Sequence, residues 1–387
     1  MPTVYLDNAA TTRLDERVLE AMLPYLRDEY GNASSIHHAG RKATVAVEEA
    51  REKIAAFINA KPSEIVFTSG GTESNNCAIK GVLKATPKRH VITSRVEHHA
   101  VLHPVQHARN EGVNATFLDV KPTGHVTVEQ VREAINDDTA LVTLMHVNNE
   151  IASVNPVKEI GLLCAEKGVL FHTDTVQSIG KIPVDVVDMN INFLSMSGHK
   201  IHGPKGVGAL FIKAGSRWKP WMEGGSQERR RRGGTLNVAG IAGLGKAVEI
   251  AAADMVNNNR HLKELKTRLV TGLKNTFPEL IAFNGDIENG ASHIVNCSFR
   301  LDDQKSLDGE MLLLNLDIEG ICVSNGSACT SGAVEASHVL TALGMVTPTA
   351  KSSLRFSLSK FNTTEEIDYT LDKLGAIVKR MLQTADA

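Results

Sequence analysis

The sequence predicts an α/β fold in which a large domain with a mostly parallel sheet carries a smaller α+β domain. From about residue 40 to 255, short apolar runs alternate with helical patterns, which is typical of parallel strands joined by crossover helices. After about residue 258 this alternation stops. A chain of 387 residues also exceeds the length that one hydrophobic core usually serves. We therefore predict a large domain at residues 15–257 and a small domain at residues 1–14 and 258–387.

Local patterns place the elements of the large domain. Helical periodicity opens this region, and apolar strands bounded by glycine or polar residues follow it. Thr127 and Gln130 have the spacing of a capping box that begins a helix, and Gly168 ends a later one. The predicted elements are a helix at 43–58, strands at 65–68 and 90–94, a helix from 127, a strand at 141–145, a helix at 156–167, and strands at 169–172, 191–194 and 208–212.

The small domain has a less regular order of elements. Its last helix begins with Thr363 and Glu366, which have the spacing of a second capping box. The predicted elements are a helix at 260–277, a strand at 294–299, a helix at 307–316, strands at 320–324 and 353–358, and a closing amphipathic helix at 363–382. This order is typical of an α+β domain.

The composition is that of a soluble globular protein, with 42% hydrophobic and 22% charged residues. The 42 basic and 44 acidic side chains nearly balance, so charge gives no reason to expect nucleic acid or an anionic membrane as the main partner. No apolar run has the roughly 18 residues of a transmembrane helix, and the first residues lack the pattern of a secretory signal. Five scattered cysteines without CxxC spacing argue against a disulfide framework and a structural zinc site. We expect a cytoplasmic protein.

Polar residues follow several predicted strands at the edge where a parallel sheet binds its ligands. Residues 69–72 (Ser-Gly-Gly-Thr) precede a helix and can bring backbone N–H groups close to a phosphate, although Gly-Gly at this point is commonly a simple turn. Asp174 follows another strand, where an acid is also a common helix N-cap. Lys200 follows a third strand, with Ser197 and His199 beside it. A phosphate cradle, a carboxylate and a lysine on one edge match the needs of pyridoxal phosphate.

Longer motifs make this hypothesis specific. The segments at 5–12, 68–75, 97–100, 148–151, 172–177 and 197–200 resemble the class V aminotransferase family of fold type I pyridoxal-phosphate enzymes. The segments at 327–332 and 353–357 resemble, more narrowly, the cysteine desulfurases of the NifS/IscS group. The resemblance implies a homodimeric enzyme that converts L-cysteine to L-alanine. It also implies delivery of the sulfur to an acceptor such as an iron–sulfur scaffold protein, and it leaves open delivery for another thio-cofactor or for nucleic-acid thiolation.

The same resemblance implies a role for each site residue. Lys200 would hold the cofactor in a Schiff base and move the Cα proton, and His98 would stack on the ring and act in acid–base steps. Asp174 would pair with the pyridine nitrogen, and Gln177 would hydrogen-bond the phenolic oxygen. Asn149 and Arg355 would grip the substrate carboxylate. The residues implied for the phosphate are Gly71, Thr72, Ser197, His199 and, from the other subunit of a dimer, Thr235.

Cys329 would be the nucleophile that receives the substrate's sulfur as a persulfide. Its surroundings at 324–333 are small and polar, which favours a mobile loop over the packed core where most free cysteines lie. The long segment after Cys329 resembles the group that hands sulfur to iron–sulfur scaffold proteins. The remaining cysteines fit strand or helix patterns and are expected to be packing residues, namely Cys77, Cys164, Cys297 and Cys322.

Three other interpretations stay open from the sequence. His99, His103 and His107 have the spacing of a zinc-binding stripe on a helix, although we expect Pro104 to interrupt that helix and predict no metal site. An aminotransferase or a selenocysteine lyase would share the cofactor, but a plain aminotransferase needs no thiol. The arginine run at 229–232 suggests nucleic-acid binding, yet such a run is usually a solvated face, so we do not expect direct binding.

Overall fold

The computed structural model describes residues 3–301, 306–325 and 336–385. In chain order, the elements up to the last strand of the large sheet are β1 (Val4–Tyr5), α1 (Glu16–Arg27), α2 (His38–Phe57), β2 (Ile65–Thr68), α3 (Gly71–Ala85), β3 (His90–Ser94), α4 (His99–Asn110), β4 (Asn114–Leu118), α5 (Val128–Ala134), β5 (Thr139–Thr143), α6 (Val157–Glu166), β6 (Leu170–Asp174), β7 (Phe193–Ser197) and β8 (Gly208–Ile212). The later elements are α7 (Gln227–Arg230), α8 (Val238–Thr276), β9 (Ile281–Phe283), β10 (Ile294–Phe299), α9 (Gly309–Ile318), β11 (Ile321–Cys322), α10 (His338–Ala342), α11 (Thr347–Lys351), β12 (Ser353–Ser357) and α12 (Thr364–Ala385).

Seven strands form the large sheet in the order β2-β8-β7-β6-β5-β3-β4. β8 runs antiparallel to both of its neighbours, whereas the other adjacent pairs are parallel. Helices pack on both faces, so β2, β3, β5, β7 and β8 are buried at every position. The predicted α/β class with a mostly parallel sheet is therefore confirmed. The carboxyl ends of the parallel strands meet at one edge.

Strand bounds are predicted best where the apolar run is continuous. β2, β3, β8 and β10 begin and end at the predicted residues. β6 and β7 begin and end later than predicted, and they end later because their polar last residues, Asp174 and Ser197, still pair with neighbouring strands. β4 was not predicted, since it begins with Asn114 and its first four residues are not buried. The capping boxes at Thr127 and Thr363 are both present.

The 39-residue helix α8 joins the two parts of the chain, and only its second half was predicted. Its start is rich in glycine, which is a poor helix former. Gly245 is needed there because a Cβ atom would lie 2.7 Å from Ala50 Cβ on α2. Leu244 packs in the core below the large sheet, whereas Leu269 packs in a second core with β10 and α12. This change of core falls close to the domain boundary that we predict at residue 257.

The second core lies under two small sheets. One is antiparallel, in the order β12-β10-β9, and the other is the parallel pair β1-β11. Arg355 on β12 pairs with Asn296 on β10, and Asp7 bridges to Ser357 at the end of β12. Asp7 and Arg355 thereby reach the edge of the large sheet. No helix of the described segments has both the length and the apolar character needed to cross a membrane.

Candidate active site

A cavity of about 590 Å³ opens where the carboxyl ends of the parallel strands face the small sheets. Residues that follow β2, β3, β5, β6 and β7 form one side of it, and residues around β1, β11 and β12 form the other. The predicted site residues in its wall are Gly71, Thr72, His98, Asn149, Asp174, Gln177, Ser197, His199, Lys200 and Arg355. The structure therefore brings together side chains from both parts of the chain, and their individual roles stay predictions.

The loop between β2 and α3 presents backbone N–H groups at a helix N-terminus. Gly70 has a φ of 146°, which residues with a side chain rarely adopt. A Cβ atom on Gly71 would lie 2.7 Å from Val176 Cγ2, and one on Gly208 would lie 2.7 Å from Gly70 Cα. The glycines thus allow close packing around the loop, and Ser197 Oγ lies beside it. A glycine-lined loop at the start of a helix is suited to bind a phosphate.

Asp174 ends β6 in the cavity wall, and two hydrogen bonds fix its carboxylate. Oδ2 accepts from Asn75 Nδ2 at 2.6 Å, and Oδ1 accepts from the backbone N–H of Val176 at 2.9 Å. The side chain therefore binds a following N–H group, as a cap would, and also faces the cavity. Asn75 has no role in the sequence prediction, although its spacing of four residues from Gly71 places it on the same face of α3.

Lys200 lies on the 3₁₀ turn Gly198–Lys200 that follows β7. Its Nζ donates to the backbone carbonyl oxygens of Ala9 and Ala10, the second at 2.7 Å. Burial, assisted by the guanidinium of Arg355, lowers the pKa of Lys200 to about 8, although two nearby carboxylates oppose this. A lysine with this pKa has a larger share of neutral, nucleophilic amine near pH 7 than an exposed lysine has.

His98 is the N-cap of α4 and is accessible from the cavity. Its Nδ1 accepts from the backbone N–H of Ala100 at 3.0 Å, which fixes the ring orientation. The surrounding protein lowers the pKa of His98 by desolvating the charged form, and Asp174 opposes this effect. The lowered pKa favours a neutral imidazole, whose Nε2 then carries the proton.

Gln177 and His199 line the cavity but already bind other parts of the chain. Gln177 Nε2 donates to Ala9 O at 2.9 Å, and His199 Nδ1 lies 3.1 Å from Thr11 Oγ1. Burial lowers the pKa of His199 to about 4, so this ring is neutral near pH 7. Both side chains tie the first loop of the chain, at residues 9–11, to the large sheet. That loop in turn carries the carbonyl groups that bind Lys200.

Arg355 is held between the two parts of the chain. Its NH2 atom lies 2.8 Å from Asp7 Oδ1, and its NH1 atom donates to Asn149 O at 3.0 Å. Arg355 Nε and Asn149 Oδ1 are both buried without a hydrogen-bond partner among the described residues. A buried unsatisfied polar atom costs about 1–3 kcal/mol, so this end of the cavity has unused capacity for a polar ligand. Asp7 was not assigned a role from the sequence, and here it neutralises Arg355.

The other two predicted site residues, Thr235 and Cys329, are not among the described residues of the cavity wall. Thr235 is exposed and does not line this cavity. Cys329 lies outside the described residues, whereas Ser324 and Asn325, which precede it, do line the cavity. The other cysteines are free thiols, and burial raises the pKa of three of them to about 12, namely Cys77, Cys164 and Cys297.

His99 on α4 lies between two other histidine rings, one from α4 and one from α10. The ring centroids of His99 and His103 are 4.8 Å apart, and those of His99 and His338 are 4.5 Å apart. The predicted interruption at Pro104 is wrong, because α4 continues to Asn110 with Pro104 buried on the face that packs against α3. Within the described part of the chain, no three His, Cys, Asp or Glu side chains are arranged to hold a metal ion.

Comparison with known proteins identifies the family. The family model described as Aminotransferase class-V matches residues 4–370. The chain belongs to the class-V aminotransferase family. It is 46% identical over 380 residues to a cysteine desulfurase IscS of Dictyoglomus turgidum, which covers 98% of this chain and 95% of that protein. Its predicted place in the NifS/IscS group is confirmed.

Solved structures match the fold over nearly the whole chain. A NifS-like protein has a TM-score of 0.90 at 37% identity, covering 98% of this chain and 100% of that one. SspA in complex with cysteine has a TM-score of 0.82 at 38% identity, covering 93% of this chain and 100% of that one. The predicted fold type is therefore confirmed.

Enzymes of the class-V aminotransferase family depend on pyridoxal phosphate, and the cavity fits this cofactor. The loop with Gly70 and Gly71 is a cradle that side chains would fill, and it suits the phosphate. Asp174, held by Asn75, offers a carboxylate for the pyridine nitrogen. Lys200 offers an amine with a lowered pKa for the aldehyde.

Proposed function

We propose that the protein is a pyridoxal-phosphate-dependent cysteine desulfurase, which converts L-cysteine to L-alanine and retains the sulfur as a persulfide on Cys329. One observation carries this proposal. Lys200, Asp174, the loop after β2 and Arg355 share one cavity, and the chain that leads to Cys329 leaves from its wall. Relatives named cysteine desulfurase, and the similarity to a structure of SspA in complex with cysteine, support cysteine as the substrate.

The side chains of the cavity are suited to the proton transfers of this reaction. Bound pyridoxal phosphate supplies an electron sink that makes the bonds of the substrate reactive. The Lys200 amine, with its lowered pKa, takes a proton from the substrate Cα and returns it. The Asp174 carboxylate, fixed by Asn75, keeps a proton on the pyridine nitrogen. His98 Nε2 makes no hydrogen bond to the described residues, and it is suited to pass a proton on the cavity side.

Arg355 and Asn149 are suited to orient the substrate carboxylate. The guanidinium has five N–H donors, and Asp7 and the Asn149 carbonyl use only part of them. When the substrate binds at this point, Arg355 can exchange its contact with Asp7 for a contact with the carboxylate of the substrate. Because Arg355 is 5% exposed, it is held rigidly enough to fix which substrate bond faces the reactive groups.

Chain connectivity brings Cys329 within reach of the cavity. Asn325 lines the cavity, and the four residues from there to Cys329 span at most about 14 Å. In the sulfur-transfer step the Cys329 thiolate attacks the substrate Sγ and forms an S–S bond. The Cβ–S bond breaks, its electron pair stays on Cβ, and Cβ then takes up a proton to become the methyl group of alanine. The sulfur remains on the enzyme as a persulfide.

The direct test compares the wild type with Cys329→Ala. Purified protein with L-cysteine and a thiol reductant should release sulfide and alanine in equal amounts. Cys329→Ala should keep the bound cofactor and its absorbance but lose sulfide release. Cys322→Ala is the matched control and should retain activity, because Cys322 does not line the cavity. Full sulfide release by Cys329→Ala would overturn the persulfide mechanism.

We further propose that the enzyme acts in the cytoplasm as a homodimer and passes its sulfur to an acceptor such as an iron–sulfur scaffold protein. Unpaired cysteines at four described positions support a reducing compartment. Thr235 is exposed and does not line the cavity of its own subunit, which supports a role in the phosphate site of the partner subunit. Analytical ultracentrifugation should give twice the chain mass, and Thr235→Val should weaken cofactor binding. A monomer with full cofactor affinity would contradict both points.

A further inference from the structure

Three of the four arginines at 229–232 bind groups of the protein itself. Arg231 NH1 donates to a backbone carbonyl oxygen, that of Ser63, at 2.7 Å. Arg229 NH2 lies 3.2 Å from a carboxylate oxygen of Glu48 on the surface. Arg232 has a side chain that is only 17% exposed, so the expectation of a solvated face is wrong for this residue. Arg229 and Arg232 are thus paired with carboxylates, which removes part of the charge on which the nucleic-acid hypothesis was based.

Two carboxylates occupy the free edge of β2 where it leads into the loop between β2 and α3 at residues 69–72, here named the anion-binding loop. β2 is the first strand of the sheet, so one of its edges has no neighbouring strand. The backbone N–H of Phe67 donates to Glu228 Oε2 at 2.8 Å, and that of Ser69 donates to Glu73 Oε2 at 2.8 Å. These N–H groups are two residues apart and face the same edge. The carboxylates thus fix the backbone that leads into Gly70.

Each of these carboxylates is paired with an arginine in two-pronged geometry. Arg51 binds Glu228 at 2.8 and 2.9 Å, and these side chains are 4% and 1% exposed. Arg232 binds Glu73 at 2.8 and 3.1 Å, and the Glu73 side chain is 6% exposed. Both arginines therefore neutralise buried charge next to the loop.

The backbone between these two ion pairs is strained. Glu228, Arg229 and Arg230 have φ values of 45°, 58° and 65°, which are unfavourable for residues with a Cβ atom. Such a conformation persists only where surrounding contacts enforce it. The buried Arg51–Glu228 pair supplies such contacts at one end of the turn, and the Arg232–Glu73 pair supplies them at the other. The strained segment at residues 228–230 therefore places Arg232 beside Glu73.

We propose that Arg232 is a positioning residue for the phosphate of the cofactor and acts through Glu73. Glu73 lies in the first turn of α3, whose N-terminus forms the anion-binding loop. Arg232 holds this carboxylate against the Ser69 N–H and cancels its charge. Without Arg232, a buried anion would remain next to the site for the phosphate and would repel it. The inference rests on pyridoxal phosphate as the cofactor of the proposed function, and it does not depend on the reaction.

The test compares two ligands that differ only in the phosphate. Apoprotein prepared from the holoenzyme is titrated with pyridoxal phosphate and with pyridoxal, and binding is followed by absorbance. Arg232→Gln should weaken pyridoxal phosphate about tenfold or more and leave pyridoxal unchanged. The double variant Glu73→Gln/Arg232→Gln should recover part of the affinity, because the repelling charge is gone. Arg229→Gln, which loses only a surface pair, is the matched control and should bind both ligands normally.

Equal losses for both ligands would overturn the proposal, because they indicate a general disturbance of the cavity. Unchanged affinity of Arg232→Gln for pyridoxal phosphate would overturn it too, as would a double variant no better than the single one. Should Arg232→Gln fail to fold, Arg232→Lys replaces it in the comparison. Arg232→Lys keeps the positive charge but loses the two-pronged contact with Glu73. Its affinity for pyridoxal phosphate should therefore lie closer to that of the wild type than to a tenfold loss. The two titrations contain no cysteine. Their outcomes can therefore be interpreted even if the desulfurase assay fails.

Discussion

Replacing Glu97 by glutamine should stabilise the protein at neutral pH. Glu97 is fully buried, with Oε1 accepting from Ser94 Oγ at 2.8 Å and Oε2 accepting from the backbone N–H of Met145 at 2.9 Å. Burial raises the pKa of Glu97 from 4.5 to about 8, against the opposing effect of both hydrogen bonds. The folded chain therefore holds a proton at pH 7 that the unfolded chain has released.

The size of the effect follows from this difference in pKa. Between pH 4.5 and 8 the folded state binds more protons than the unfolded state, so stability falls as the pH rises. Each pH unit corresponds to about 1.4 kcal/mol, which gives roughly 3 kcal/mol at pH 7. A glutamine side chain does not titrate, so the Glu97→Gln variant does not lose this stability as the pH rises. Its amide can donate to Ser94 Oγ while its carbonyl accepts from the Met145 N–H, so both contacts are kept.

The assay is urea unfolding of the holoenzyme at pH 5, 6, 7 and 8, for the wild type, Glu97→Gln and the exposed control Glu129→Gln. The stability difference between Glu97→Gln and the wild type should be small at pH 5 and should grow by about 1.4 kcal/mol per pH unit up to pH 8. Glu129→Gln should show no such trend, because its side chain is 69% exposed. A difference that does not change with pH would refute the reasoning.

Three further substitutions test separate features. Arg230→Gly should raise the thermal midpoint, since its φ of 65° suits glycine and relief of this strain stabilises by about 1 kcal/mol. Gly161→Ala should lower the unfolding free energy by about 1–3 kcal/mol in urea, because the added Cβ would lie 1.9 Å from Met189 O. Asn75→Asp would place a second carboxylate against Asp174, so titration of the apoprotein should show weaker binding of pyridoxal phosphate; unchanged affinity would remove Asn75 from the site.

The sequence was sufficient to predict that part of the site meets, because the edge of a parallel sheet is fixed by its topology. Asp174, Lys200 and the loop at residues 69–72 follow different strands, and a single rule about strand ends brings them together. Arg355 could be placed only by resemblance, since it comes from a different sheet.

Other features depend on contacts that no local pattern reports. Asn75 is hidden inside a helix, and only its hydrogen bond to Asp174 shows its place in the site. Arg232 looked solvated because nothing near it in sequence carries its partner, Glu73. Pro104 is accommodated by packing against a neighbouring helix, which outweighs its local preference. In each case tertiary structure overrides the local signal.

Helix α8 has a mechanical consequence for substrate entry. At 1.5 Å per residue its 39 residues form a continuous helix about 58 Å long, and one half of it packs in each core. A hinge motion that moved the two cores apart would have to bend α8 near its middle and break consecutive backbone hydrogen bonds of the helix. The continuous helix therefore opposes hinge motion between the two cores, and we expect cysteine to enter and alanine to leave without such motion.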